Sequence, residues 1–156
     1  MSTKGKRTIY VGPADGSDSK PLNVEAVATA AIAPGTVVDF AAADAGFEVN
    51  ATAATVWSEM LLVADKDQQR SKSVDTAWTI NENMVAIQPR SGEFMNILVA
   101  TAQTLVKGSA LSLNGAGLLK LAVTPATVGA TSEQVLCYSD ETITTTATTL
   151  VRVCVA

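Results

Sequence analysis

Ile32-Ala33-Pro34-Gly35-Thr36-Val37-Val38-Asp39-Phe40 returns 73 positions later as Leu105-Val106-Lys107-Gly108-Ser109-Ala110-Leu111-Ser112-Leu113. Both stretches follow an Ala-Thr-Ala tripeptide, at residues 28–30 and 100–102. Each then reaches a second glycine before apolar alternation resumes, as Gly46-Phe47-Glu48-Val49 and as Gly117-Leu118-Leu119-Lys120-Leu121. Each unit reads as a glycine turn, a strand with alternate apolar positions, another glycine turn and a return strand. Glycine supplies the positive φ that tight hairpins require. The echo therefore predicts two related hairpins inside one barrel-like body.

Working outward, short β-branched or aliphatic runs occupy residues 24–28, 36–40, 47–49, 85–89, 96–100, 110–113, 118–123, 134–138 and 149–155, separated by Gly, Pro, Asn or Asp. Strands at this spacing, with turns between them, suggest a small barrel or sandwich. The last run alternates cleanly. Leu150, Arg152, Cys154 and Ala156 share one face, while Val151, Val153 and Val155 share the other. Residues 53–64 fit a helical stripe (Ala53, Val56, Trp57, Met60, Leu61, Ala64) or, from Trp57 onward, a buried strand. Residues 65–75 are the most polar run of the body and read as an exposed loop, with a short helical turn over 73–78.

Residues 1–21 read as an extended, flexible N-terminal arm and residues 22–156 as a single β-rich domain. Residues 12–21 are dense in turn-formers. Before them, Thr8-Ile9-Tyr10-Val11 is a β-prone patch suited to adding a strand to a sheet edge on another molecule; an ordinary unstructured terminus is the plain alternative. The arm carries Lys4, Lys6 and Arg7 with no acid among its first 12 residues, on a chain whose formal net charge is −4. A basic arm on an acidic body suits docking to an acidic surface, and the overall charge argues against general affinity for nucleic acid.

The 156 residues are enough for one real core, and 47% are hydrophobic. Only 17% are charged, against roughly 25% in an ordinary domain, so few charges cover the surface: either part of it is buried against other subunits or this is simply an Ala/Thr-rich domain with a mild exterior. Cys137 and Cys154 lie in apolar, strand-like stretches without metal or redox spacing and read as reduced structural thiols. No run reaches the ~20 apolar residues of a membrane span, and the Ala-rich stretch 26–33 makes a poor secretory leader. The chain thus reads as soluble and made in a cytoplasm.

Catalytic patterns are scarce. The chain has no histidine, which removes Ser-His and Cys-His systems and His-ligated metals. The Gly-x-Gly at residues 115–117 lies between two β runs and reads as a hairpin turn. Asp65 with Asp67, and Asp15 with Asp18, are the pairs best placed for a weak cation, yet both read as solvated loop charge. Trp57 and Trp78 read as core or interface anchors. The Thr-rich run 142–149 suits an edge strand at a subunit boundary or, more plainly, a solvent face. No enzyme, cofactor or metal is expected.

From residue 60 onward the chain resembles decoration (cement) proteins of tailed bacteriophages. The resemblance lies in LLVADKD (residues 61–67), in SVDTAWTINENMVAIQPRSGEFMNILVATAQTLVKGSALSLNGAGLLKLA (residues 73–122) and in the closing β strand. Its pieces are an ADxD start, an aWxxxxxV strand, a Gly92-Glu93 turn and a vxxGxxL hairpin. It implies a β-barrel or β-tulip-like domain, commonly a homotrimer, attached outside the expanded shell of the major capsid protein, with no membrane and no direct nucleic-acid partner. The arm would then reach across the capsid lattice. On composition and this analogy the candidate contact residues are Lys4, Lys6, Arg7, Ile9 and Tyr10. The rival readings are a tail, baseplate or head-fibre component, and a carbohydrate- or ligand-binding β-barrel module.

Overall fold

A computed structural model describes residues 6–16, 20–52, 54, 60–123 and 131–156. Its strands are β1 (Tyr10–Pro13), β2 (Leu22–Val27), β3 (Val37–Phe40), β4 (Phe47–Val49), β5 (Leu62–Ala64), β6 (Asn83–Gln88), β7 (Glu93–Val99), β8 (Thr104–Leu105), β9 (Ala110–Leu113), β10 (Leu119–Leu121), β11 (Cys137–Ser139), β12 (Ile143–Thr144) and β13 (Thr149–Val155). The one helical element among the described residues is a 3-10 turn at Ala42–Asp44. The expected small, mostly β barrel fold is what the chain adopts, but the two hairpins lie in two separate barrels and not in one barrel-like body.

The echo in the sequence marks a duplication of the whole strand pattern. The first unit orders its strands β2-β6-β5-β3-β4, and a parallel bridge from Ala28 to Phe47 joins β4 back to β2. The second orders them β7-β13-β11-β9-β10, and a parallel pairing of Leu119 with Val99 joins β10 back to β7. Even the registers agree. Val38↔Val49, Asp39↔Glu48 and Phe40↔Phe47 in the first hairpin match Leu111↔Leu121, Ser112↔Lys120 and Leu113↔Leu119 in the second. Val63↔Ile87 and Ala64↔Ala86 match Tyr138↔Cys154 and Ser139↔Val153. Closing a sheet on itself removes the exposed edges that invite aggregation.

Strand alternation then dictates which residues fill each barrel. Ala28, Ile32, Val38, Phe47, Leu62, Ala64, Met84 and Ala86 form the first interior. Their counterparts Val99, Leu105, Leu111, Leu119, Cys137, Ser139, Val151 and Val153 are buried in the second. The fillings trade volume between partners. Ala28 meets Phe47 at the first closure, whereas Val99 meets Leu119 at the second, so small-plus-large is replaced by two middle-sized side chains. Ser139 stands where the first barrel has Ala64, and its hydroxyl is satisfied locally by donating to the Glu141 carbonyl at 2.7 Å.

The barrels pack through non-equivalent faces. Val37, Val63 and Ile87 point outward from the first barrel and join one apolar cluster with Leu98 and Leu150 on the outside of the second. Gly35 sits at the centre of this junction. Its carbonyl accepts the Leu98 N–H at 2.9 Å, and an added Cβ would collide with Leu150 Cδ2 and stand 3.3 Å from the Asn96 carbonyl. Gly117 anchors the other end, where its carbonyl accepts Val37 N–H and its own N–H reaches the Asn50 carbonyl, both at 2.8 Å.

Several expectations need correction. The arm does not run free to residue 21: β1 pairs antiparallel with β7, and Ile9 is fully buried in the main core. A strand tethered a short distance away out-competes one on another molecule, because its effective concentration is far higher. The polar run 65–75 is only partly exposed, since Asp65, Asp67 and Val74 are buried. Over 73–78 the backbone makes a single turn closed by Thr76 N–H to the Ser73 carbonyl at 3.0 Å, and Trp78 beyond it bridges Ile32. Of the ambiguous stretch 53–64, Leu62–Ala64 is strand, while Ala53, Val56 and Trp57 of the proposed stripe lie outside the described residues. In the Thr-rich run Thr142, Thr144 and Thr146 are exposed, as a solvent face requires, while Thr145 and Thr149 are buried. The Thr145 hydroxyl donates to the Ala100 carbonyl at 2.7 Å, and Ile143–Thr144 pairs with Thr104–Leu105.

The two turn glycines give a test of the asymmetry. Gly35 (φ +84°) and Gly108 (φ +89°) have the same left-handed backbone, but a Cβ on Gly108 meets nothing within 4 Å. Gly108→Ala is expected to cost about 1–2 kcal/mol from backbone strain. Gly35→Ala adds a packing clash and is expected to cost about 2–4 kcal/mol. Chemical denaturation of the two variants measures the gap, and equal losses would mean that the junction at Gly35 is not tightly packed.

Candidate interaction surfaces

Three surface regions concentrate chemistry: the root of the arm, a polar cleft on the first barrel and the uncovered outer faces of both barrels.

At the root of the arm, the backbone rather than the charges does the fastening. Asn96 N–H donates to the Ile9 carbonyl at 2.7 Å, and the Asn96 side-chain amide donates to the Thr8 carbonyl at 2.8 Å. Lys6 is ion-paired with Glu141, and the Arg7 carbonyl accepts Lys66 Nζ at 3.0 Å while its side chain is exposed. The Tyr10 hydroxyl donates to Glu93 Oε1 at 3.1 Å, and burial together with that carboxylate raises the phenol above its usual pKa. Thus Ile9 serves this chain's own core, Lys6 and Tyr10 hold intramolecular partners, and of the predicted contact residues that are described Arg7 is the cation that faces solvent. Lys4 lies outside the described residues.

The cleft, of about 420 Å³, is lined by residues of β2, β6 and the turn after β5, with Trp78 at its wall. The two carboxylates singled out in the sequence are employed in holding that turn. Asp65 accepts Lys66 N–H at 2.8 Å and the Gln68 amide at 2.7 Å, while Asp67 accepts Arg70 N–H at 3.0 Å. Burial raises the Asp65 carboxyl above the usual range, and these hydrogen bonds only partly offset it. Glu82 gathers the cations. Arg70 Nη1 lies 2.5 Å and Lys72 Nζ 3.1 Å from its Oε1. The Thr79 N–H, followed by Lys72, brings the Glu82 carboxyl down to about 2. Trp78 donates its indole N–H to the Asp65 carbonyl at 2.7 Å. This is ion pairing and turn capping. No group of potential metal ligands forms among the described residues, and Asp18 lies outside them.

The counterpart of Asp65 in the second barrel is Asp140, and each donates its N–H to the strand beside it (Val85 and Arg152 carbonyls, both 2.9 Å). Asp140 pairs with Lys107 at 2.8 Å and with Arg152 Nε at 2.6 Å, and these cations, Lys107 first, lower its pKa. Around it lies an uncovered apolar surface: Val106 is 59% and Tyr138 45% exposed, next to half-buried Ala110 and Cys154. Cys137, behind this face, is fully buried, and burial pushes its thiol upward, away from the reactive thiolate. No cysteine is in a disulfide.

No family model matches the chain, and no curated protein matches it. Among the described residues no helix is long and apolar enough to cross a membrane.

Two measurements check this account. Glu82 has a folded-state pKa below its ordinary 4.5, so the stability it contributes is present above that value and is lost as pH falls through about 2. The melting temperature is therefore expected to drop over this interval, and Glu82→Gln to flatten the drop. An unchanged slope would remove Glu82 from the acid response. Separately, Ile9→Ala is expected to cost about 2–5 kcal/mol as a buried large-to-small change, whereas a terminus that is free to leave the sheet would lose almost nothing.

Proposed function

We propose that this protein is a capsid decoration protein of a tailed bacteriophage, binding the outside of the expanded major-capsid-protein shell and stabilising it. The reading is carried by the sequence resemblance over residues 60–156, which spans the strands of the second barrel and the last strands of the first. Two features support it. The chain spends its polar groups on ion pairs and turn caps that fasten loops, and it leaves apolar outer barrel surface uncovered, which suits a protein that acts by assembling. A ligand that binds only the expanded shell stabilises that shell by mass action, and many equivalent copies make modest individual contacts sufficient.

Within this reading the arm acts differently from the expectation. Its β-prone patch is occupied by β7, so residues upstream of it, with Lys4 and Arg7 as the candidate cations, are the part available to an acidic shell surface. A pelleting titration onto expanded, undecorated capsids tests the proposal. Saturation at a fixed copy number per capsid subunit, without binding to the unexpanded precursor, is expected. Absence of binding to either shell would overturn it in favour of a tail, baseplate or fibre component. Removing residues 1–5 together with Arg7→Ala is expected to weaken binding while leaving the melting temperature unchanged, and undiminished binding would exclude the arm's candidate cations as contacts.

A further inference from the structure

The two barrels join by unlike faces, and each of those faces has a counterpart that the chain leaves uncovered. On the first barrel, the face around Gly35, Val37, Val63 and Ile87 is buried against the second. The counterpart residues on the second barrel are Gly108, Ala110, Tyr138 and Cys154. They remain apolar, yet Tyr138 is 45% exposed where Val63 is 0%. On the receiving side, Asn96, Leu98 and Leu150 are buried on the second barrel, while their counterparts Glu25, Val27 and Asn83 on the first are exposed or half-exposed.

The backbone repeats this inventory. Along one edge of β7, Leu98 N–H donates to the Gly35 carbonyl and Ala100 N–H to the Leu119 carbonyl, at 2.9 and 2.8 Å. Along the same edge of β2, Thr29 N–H donates to the Phe47 carbonyl at 2.9 Å, the counterpart of the Ala100 bond. Ala28 N–H points the other way, to Glu82, so antiparallel alternation directs Val27 N–H to this edge. There it meets no carbonyl among the described residues. The donor equivalent to Leu98 N–H is open, and so is the turn equivalent to Gly35, whose glycine has nothing within 4 Å of a Cβ.

We infer that this protein binds a second copy of itself head to tail: the Gly108 face of one copy's second barrel docks on the β2 face of the next copy's first barrel. The intermolecular contact repeats the intramolecular one, with the Gly108 carbonyl accepting Val27 N–H and with Tyr138 and Ala110 covering Val27. Charge agrees with this placement. Lys107, adjacent to Gly108, comes opposite Glu25, which occupies the Asn96 position and forms no ion pair among the described residues, although Lys66 and Arg70 line the same cleft. Such a contact is heterologous, so each copy offers one face of each kind and assembly continues until a ring closes. The inference rests on the internal duplication and not on the capsid reading.

The purified full chain tests it by analytical ultracentrifugation at up to about 100 μM, with Tyr138→Glu disabling one face and Val27→Glu the other. The wild type is expected to form species larger than a dimer, and each variant alone to weaken assembly at least about tenfold. An equimolar mixture of the two variants retains one intact Gly108 face and one intact β2 face, so it is expected to yield a 1:1 heterodimer. Circular dichroism on each variant confirms that it is folded, and Val106→Glu and Asn83→Lys replace any variant that is not. A wild type that stays monomeric overturns the inference. So does a mixture that forms no heterodimer, or a Tyr138→Glu variant that still dimerises with itself, as symmetric pairing of two β2 edges would allow.

Discussion

One edge of β7 takes three carbonyls in succession: Ile9 from the arm, Gly35 from the first barrel and Leu119 from the second barrel's own last-paired strand. A buried strand cannot leave its N–H groups without acceptors, and β7 is buried along nearly its whole length. This requirement fastens the three parts of the molecule to one another. It closes the second barrel, docks the first against it and recruits the chain start as β1. The apolar cluster that contains Ile9, Val37, Leu98 and Leu150 forms around the same line.

Comparing the two barrels separates what the pairing pattern demands from what the surroundings demand. Interior positions remain apolar or locally satisfied in both, because a closed barrel offers no other environment. Outer positions diverge with their neighbours. Leu150 and Asn83 hold the same place on the same strand, yet one lies under another barrel and the other lies in solvent. The acidic loop residues differ likewise. Asp65 is buried and held by its own turn, whereas Asp140 is tied to Lys107 and Arg152 near the surface.

Much of this was legible in the sequence, and the reasons are local. The echo around Gly35 and Gly108 showed because turn chemistry and two-residue alternation are written in adjacent residues, and both hairpins formed in matching register. The alternation of β13 was equally plain. The rest of the duplication was hidden. Leu62–Ala64 and Cys137–Ser139 occupy equivalent places but are three residues each, too short for periodicity to speak. Ile32–Trp78 and Leu105–Ile143 are matched across long loops of unlike sequence. The fate of Ile9 was illegible for another reason. A β-prone patch states that it will pair but not with what, and the deciding fact, an open run on β7, exists only after both barrels have formed. Asp65 and Asp67 looked like solvated charge because sequence shows carboxylates and not the backbone N–H groups that claim them.

Carrying both barrels on one chain also changes how the protein can vary. In an array of single barrels, every copy of a residue sits in the same surroundings, so one codon must suit them all. Here each structural position has two codons. The partner of Ile87 is Cys154, and the partner of Gly35 in its crowded junction is a Gly108 free of crowding. The duplicated chain can adjust one contact without disturbing the other, a freedom that a single repeat, however many times assembled, does not possess.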